Sequence, residues 1–303
     1  MIKKILVTGV NGFVGKHLVS ELEGVGIEVL GIAGKSADQE SGKYIQIDLT
    51  DRGSVQKNID FSGIEGVIHL AGLASVGDSF SNPLKYINVN SSIQINLMET
   101  ALEQGCKPKF IVVSSGSVYD PSMALPLKEE SPIKPTSPYS ISKLVQEDLG
   151  QYYTSRGLEC VIARPFNHIG PGQGSGFIVP DLAKQIVEAR KNGERSIRVG
   201  NLNTKRDYTD VRDIVGAYIL LLKKGRSGEV YNICSGTAVS GKEILEGLEK
   251  AAKIEINPII DPSKNRPVDN PVIYGDYSKL NNETGWKPEI KLDQTLADII
   301  ASM

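Results

Sequence analysis

Cysteine is scarce in these 303 residues: Cys106, Cys160 and Cys234 are scattered and odd in number. That pattern supports neither a disulfide framework nor a clustered metal site, and it suits a reducing cytoplasm. Charge shows no excess of either sign. The 34 basic and 36 acidic residues nearly cancel, so neither nucleic acid nor a membrane is expected as a partner through bulk charge. Long apolar runs are missing too. The opening MIKKILVTGVNG breaks into glycine before its apolar run could form a spanning helix or a signal-peptide core. A soluble, unprocessed protein is expected, with no repeat or low-complexity tract.

What the chain does contain is alternation. KKILVTG, EVLGIA, KYIQIDL, GVIHLA, KFIVVSS and ECVIARPF are short apolar runs that read as buried parallel strands. Between them lie stretches of helical length, such as GKHLVSELEGVG and NSSIQINLMETALEQG. Repeated β-then-α order predicts an α/β fold, a doubly wound parallel sheet of Rossmann type with helices on both faces. The rhythm breaks after Arg164, although GEVYNICSG looks like one more sheet strand. A smaller, discontinuous α/β lobe is therefore expected. Residues 1–165 plus 207–236 would form the dinucleotide-binding domain, and 166–206 plus 237–303 the substrate-binding lobe. Ligands should lie beyond the carboxyl ends of the strands, where the two meet.

VTGVNGFVGKHLVSEL places Gly9, Gly12 and Gly15 at a strand-to-helix junction, with Phe13 and Val14 between them. The glycines would permit the tight turn, the approach of a pyrophosphate and close helix packing, with the helix N-terminus facing the phosphates. The spacing is G-x-x-G-x-x-G rather than G-x-G-x-x-G. Asp48, followed by Leu49, could accept from an adenine amino group or merely cap a helix. The second strand ends without the acid that grips ribose hydroxyls; Lys35 and Ser36 stand there instead. They suit a 2′-phosphate, so NADP(H) is plausible and NAD(H) remains open.

In SPYSISKLVQEDL, Tyr139 and Lys143 are four residues apart and would share one helix face. The pair is either decoration, with Glu147 giving Lys143 an ordinary surface salt bridge, or chemistry. A nearby ammonium would lower the phenol from its usual pKa of about 10, making it a better proton-transfer group.

With the glycines, Asp48, HLAGLASV, VVSSGSVYD and the Tyr139/Lys143 pair, nearly the whole chain resembles the extended short-chain dehydrogenase/reductases. The resemblance implies a catalytic Ser115–Tyr139–Lys143 site. Ser115 would hydrogen-bond the substrate oxygen, Tyr139 would donate a proton, and Lys143 would also hold the nicotinamide ribose. It further implies cofactor contacts from Leu70, Ala71, Gly72, Val113, Phe166 and His168, and an organising role for Asn90, which could equally be a buried helix-capping amide. Family members commonly dimerise through the helix bearing Tyr139, so a homodimer is expected. His17 and His69 read as structural, and His168 as a loop residue rather than a catalyst.

Three stretches, RPFNHIGPGQGSGF, VGNLNTKRDYTDVRD and RPVDNPVIYGDYSKL, resemble the GDP-4-keto-6-deoxy-D-mannose reductases within that family. This implies a GDP-sugar substrate met by Ser75, Ser115, Ser117, Tyr139, Asn167, Arg206, Arg266 and Asp269. Ser117 occupies the position where the family's dehydratases carry a glutamate, which argues against water elimination. The expected reaction is reduction of a 4-keto group to give GDP-D-rhamnose. The alternatives are a nucleotide-sugar 4-epimerase, a reductase forming the 6-deoxytalose epimer, and a nonenzymatic dinucleotide sensor.

Overall fold

The computed structural model describes residues 2–34, 44–264 and 270–303. Its first part runs β1 (Lys4–Thr8), α1 (Phe13–Gly24), β2 (Glu28–Ala33), β3 (Ile45–Gln46), α2 (Arg52–Asn58) and β4 (Gly66–His69). It continues through α3 (Val76–Ser81), α4 (Pro83–Glu103), β5 (Lys109–Val113), α5 (Pro138–Ser155) and β6 (Glu159–Pro165). Then come β7 (Asn167–Ile169), α6 (Ile178–Asn192), β8 (Ser196–Val199), β9 (Lys205–Asp210), α7 (Val211–Lys224) and β10 (Val230–Ile233). The last elements are β11 (Ala238–Ser240), α8 (Gly241–Ala252), β12 (Asn257–Ile260), β13 (Val272–Ile273), α9 (Ser278–Thr284) and α10 (Leu292–Ala301).

The apolar runs of the sequence assemble into one seven-stranded sheet in the order β10-β6-β5-β4-β1-β2-β3, parallel throughout. These strands are apolar on both sides because helices cover both faces. On one face Leu18 and Leu22 of α1 pack with Ile214, Tyr218 and Leu222 of α7. On the other, Val55, Ile93, Leu97 and Tyr153 carry α2, α4 and α5 onto the sheet. Each fully buried aliphatic side chain of this kind contributes about 1.5–3 kcal/mol. The strand order reverses between β1 and β4, which opens a crevice at their carboxyl ends.

A second sheet, β11-β9-β13 with β7 also on β9, and the pair β12-β8 form the smaller layer. Its core joins α6, α8 and α10 through Leu182, Ile186, Ile244, Leu248, Leu296 and Ile300. Two details depart from the division expected from sequence. β9 runs unbroken across 206/207, where the boundary was placed: β11 pairs with Lys205 to Asp207 and β7 with Tyr208 to Asp210. Leu280 and Trp286 pack into the core of the large sheet, so the segment around α9 joins that core rather than the smaller lobe. No helix among the described residues is long and apolar enough to cross a membrane.

Candidate active site

The first glycine turn is built to bring backbone close to a ligand. Gly9 has φ 74°, a conformation that favours glycine, and a Cβ there would lie 3.0 Å from the Ala71 nitrogen. At Gly15 a Cβ would meet the Gly9 carbonyl oxygen at 2.2 Å, so no other residue lets α1 pack this tightly on β1. α1 opens at Gly12; among the described residues no side chain caps it, and its first turn holds no acid. Its N-terminal N–H groups and the positive end of its dipole are thus oriented for phosphate. Phe13 and Val14 begin the helix, and the Phe13 ring stacks on His168, with centroids 6.2 Å apart.

α5 starts where its sequence dictates. Ser137 caps it in a reciprocal capping box with Ser140, and Pro138 occupies the first turn. That fixes the half-buried Tyr139 and, one turn on, Lys143. The Lys143 ammonium lies 5.9 Å from the Tyr139 ring centroid, and the Ser115 hydroxyl is near enough to the phenol to act on its pKa. Ser115, Tyr139 and Lys143 are therefore neighbours in space.

The electrostatics differ from the sequence expectation that Lys143 lowers the phenol. Burial raises the Tyr139 pKa, Ser115 opposes that through its hydrogen bond, and the nearby Tyr86 adds to the rise. Lys143 is itself pushed down to about 8 by burial, with Glu147 acting against the shift. Its ammonium donates to the Val113 carbonyl and to Gln146 Oε1, both at 2.9 Å, which engages two of its three protons.

Glu147 is also not the exposed partner of Lys143 that the helix spacing suggested. It is buried in a bidentate pair with Arg164: Nη2 donates to Oε2 at 2.6 Å and Nε to Oε1 at 2.8 Å, and both side chains are 6% exposed. Ser114, next to Ser115, donates to the same carboxylate. The guanidinium lies over the Tyr119 ring, 4.8 Å from its centroid, and the Tyr119 hydroxyl donates to Asn232 Oδ1 at 2.6 Å. One buried charge pair thus ties α5, the end of β5, β6 and β10 together behind the site.

The remaining expected residues divide by what holds them. Asn90 is fully buried; its Oδ1 accepts from the Leu73 nitrogen at 2.8 Å and its Nδ2 donates to Ser142 Oγ at 2.9 Å. It braces the Leu70, Ala71, Gly72 loop against α5. Ser75 caps α3. The Ser117 hydroxyl is buried without a hydrogen-bond partner among the described residues, two residues from Ser115. Asp48 accepts from the nitrogen and hydroxyl of Thr50, 3.0 and 2.6 Å away, so the turn-forming role claims one of its oxygens. The Leu49 side chain is in the core, leaving only its backbone for a ligand. Phe166 packs with Tyr119, Leu127 and Cys234, its carbonyl 3.1 Å from His168 Nδ1, while Asn167 is exposed. Arg206 donates to the Asn270 carbonyl at 2.7 Å. Lys35, Ser36, Arg266 and Asp269 lie outside the described residues.

Gln146, Ser114 and Arg164 were not expected in the site's support. Arg164 carried a signal: an arginine inside the apolar run ECVIARPF needs a buried partner.

A family model described as GDP-mannose 4,6 dehydratase matches residues 6–299. The GDP-6-deoxy-D-mannose reductase of Pseudomonas aeruginosa is 34% identical, covering 99% of this chain and 97% of its own. Among solved structures, RMD from Pseudomonas aeruginosa complexed with NADPH superposes with a TM-score of 0.85 at 32% identity, covering 99% and 98% of the two chains. UDP-glucose 4-epimerase from Bifidobacterium longum, in complex with NAD+ and UDP, gives 0.88 at 28% identity, with coverage of 99% and 98%.

Proposed function

Because the chain belongs to the GDP-mannose 4,6 dehydratase family of extended short-chain dehydrogenase/reductases, we propose that it is an NAD(P)H-dependent reductase. Its substrate is the 4-keto group of GDP-4-keto-6-deoxy-D-mannose and its product GDP-D-rhamnose. What supports this reading is the closeness of Lys143 and Ser115 to the Tyr139 phenol, in a chain similar along its length to a GDP-6-deoxy-D-mannose reductase.

The residues fit a nicotinamide dinucleotide. The open N-terminus of α1 would take the pyrophosphate, the Asp48–Leu49 turn the adenine side, and Lys143 the nicotinamide ribose. When bound, the dihydronicotinamide supplies hydride to the carbonyl carbon. The chain's own part is proton delivery and charge stabilisation. Ser115 donates its one hydroxyl proton in a hydrogen bond to the substrate oxygen, beside Tyr139. Tyr139 gives its proton to that oxygen as negative charge develops. A phenol raised by burial stays protonated at neutral pH, which is the form a reduction uses, and an alkoxide remains the far stronger base. Ser117 offers a buried hydroxyl where elimination would need a carboxylate, which supports reduction over dehydration. Asn167 and Arg206, with Arg266 and Asp269, are assigned to the sugar nucleotide; a guanidinium suits a diphosphate because it binds oxygens bidentately. The surface of α4 and α5, where Leu84, Ile141 and Tyr152 are exposed, is assigned to a homodimer.

A nucleotide-sugar 4-epimerase uses the same three residues, and the likeness to the Bifidobacterium longum enzyme keeps that second reading in play. Mixing the protein with NADPH and the keto-sugar nucleotide separates the two. Absorbance at the dihydronicotinamide band should fall in step with the keto-sugar added. An epimerase recycles its cofactor, so a flat trace with an altered sugar would overturn the reductase reading.

A further inference from the structure

A line of buried polar groups runs from Lys143 to the glycine turn. Gln146 is 1% exposed and His69 2%. Gln146 Oε1 accepts from the Lys143 ammonium at 2.9 Å, while its Nε2 lies 3.4 Å from His69 Nε2. On the far side of the ring, His69 Nδ1 is 2.9 Å from Thr8 Oγ1. That hydroxyl accepts from the Ala71 nitrogen at 3.0 Å. Thr8 immediately precedes Gly9, and Ala71 is the residue on which a Gly9 Cβ would impinge.

Donor and acceptor capacities give this line one sense. Lys143 has only protons to offer, so the Gln146 oxygen must face it and the amide NH2 must face His69. The Nε2 of His69 therefore accepts. Its proton sits on Nδ1 and is donated to Thr8 Oγ1, which also takes the Ala71 N–H. An imidazolium would set a proton on Nε2 against the amide NH2 and a second cation near Lys143.

We propose that Gln146 is a positioning residue that holds the Lys143 ammonium at the cofactor crevice, and that neutral His69, as the Nδ1–H tautomer, locks Gln146 to the Thr8–Gly9 turn. The lysine and the phosphate-binding turn are thereby set by one another across the sheet. This rests on the reading of Lys143 as the cation that holds the nicotinamide ribose. The charged and titratable groups around Lys143 are His69 from β4, and Tyr139 and Glu147 from its own helix, with the Val113 carbonyl from β5. Burial and the nearby Lys143 push His69 down to about 3, in keeping with a ring that stays neutral.

Two measurements test it. In the 15N-labelled wild-type protein with NADPH bound, the His69 ring, assigned through its contacts to the Gln146 amide protons, should show Nδ1–H and no titration from pH 5.5 to 8. An Nε2–H tautomer, or titration in that range, overturns the proposal, whatever sugar the enzyme acts on. The second is NADPH affinity against pH, read by fluorescence. The loss of affinity at high pH should move up by about one unit in Gln146→Glu, whose carboxylate stabilises the ammonium, and down by about one unit in Gln146→Leu. A merely structural glutamine would weaken binding equally at every pH in both variants, and parallel profiles refute the positioning role. Should either variant fail to fold, the tautomer measurement on the wild-type protein still decides.

Discussion

Tyr139→Phe should lower turnover about 10²–10⁴-fold, the usual contribution of a positioned proton donor. NADPH affinity should stay within about threefold, well under the 1.4 kcal/mol that a tenfold change represents. The reasoning is local. The ring keeps its carbon atoms in phenylalanine, and α5 starts from the Ser137–Ser140 box whether or not the hydroxyl is present. What is lost, on the proposed mechanism, is the proton transferred to the substrate oxygen. Steady-state kinetics beside a fluorescence titration of NADPH separate the two quantities. A variant that keeps more than a tenth of wild-type kcat would remove Tyr139 from the mechanism; normal kcat with weakened NADPH binding would make it a cofactor contact only.

Glu147→Ala should destabilise the fold by about 3–5 kcal/mol, since it strands the Arg164 guanidinium in the interior without its counter-ion. The Arg164 guanidinium would retain the Glu129 carbonyl, 3.2 Å from Nη1, and the face of Tyr119, neither of which replaces a bidentate carboxylate. Ser114 would lose its acceptor at the same time, so the residue beside Ser115 would loosen. Replacing both charges, as Glu147→Met with Arg164→Met, should recover most of the loss, because a buried pair exchanged for apolar groups of similar volume is often near neutral. Urea denaturation of the two variants reads this directly. Equal midpoints for Glu147→Ala and wild type would mean that the pair contributes nothing to stability.

The fold was legible because parallel strands buried on both faces must be apolar throughout, and every run read as such a strand joined the large sheet, though KYIQIDL contributes only Ile45–Gln46. The lobe division was harder to read. β9 belongs to the smaller sheet whereas α7, which follows it, packs into the core of the large one, and nothing in KRDYTDVRD marks the change. α9 returns to the first core through Leu280 and Trp286, a long-range packing event with no local signature. Within the site, the helical spacing of Tyr139 and Lys143 was enough to bring them together. The same spacing misjudged Glu147: position on a helix face says which residues are neighbours, but what lies opposite that face is set by β6, which supplies Arg164. Asn90 turned out to brace a loop for a similar reason, since its partners Leu73 and Ser142 come from two separate segments.

The most direct test follows the hydride into the product. The protein is incubated with the keto-sugar nucleotide and NADPH carrying deuterium at C4 of the nicotinamide, on the face from which hydride leaves, and the sugar is examined by NMR. One deuterium should appear at C4 of a 6-deoxyhexose with the D-rhamnose configuration, with one cofactor oxidised per sugar and the C6 methyl unlabelled. A sugar that changes configuration without acquiring deuterium, or that returns unchanged while Tyr139 and Lys143 are intact, would contradict a Ser115–Tyr139–Lys143 reductase.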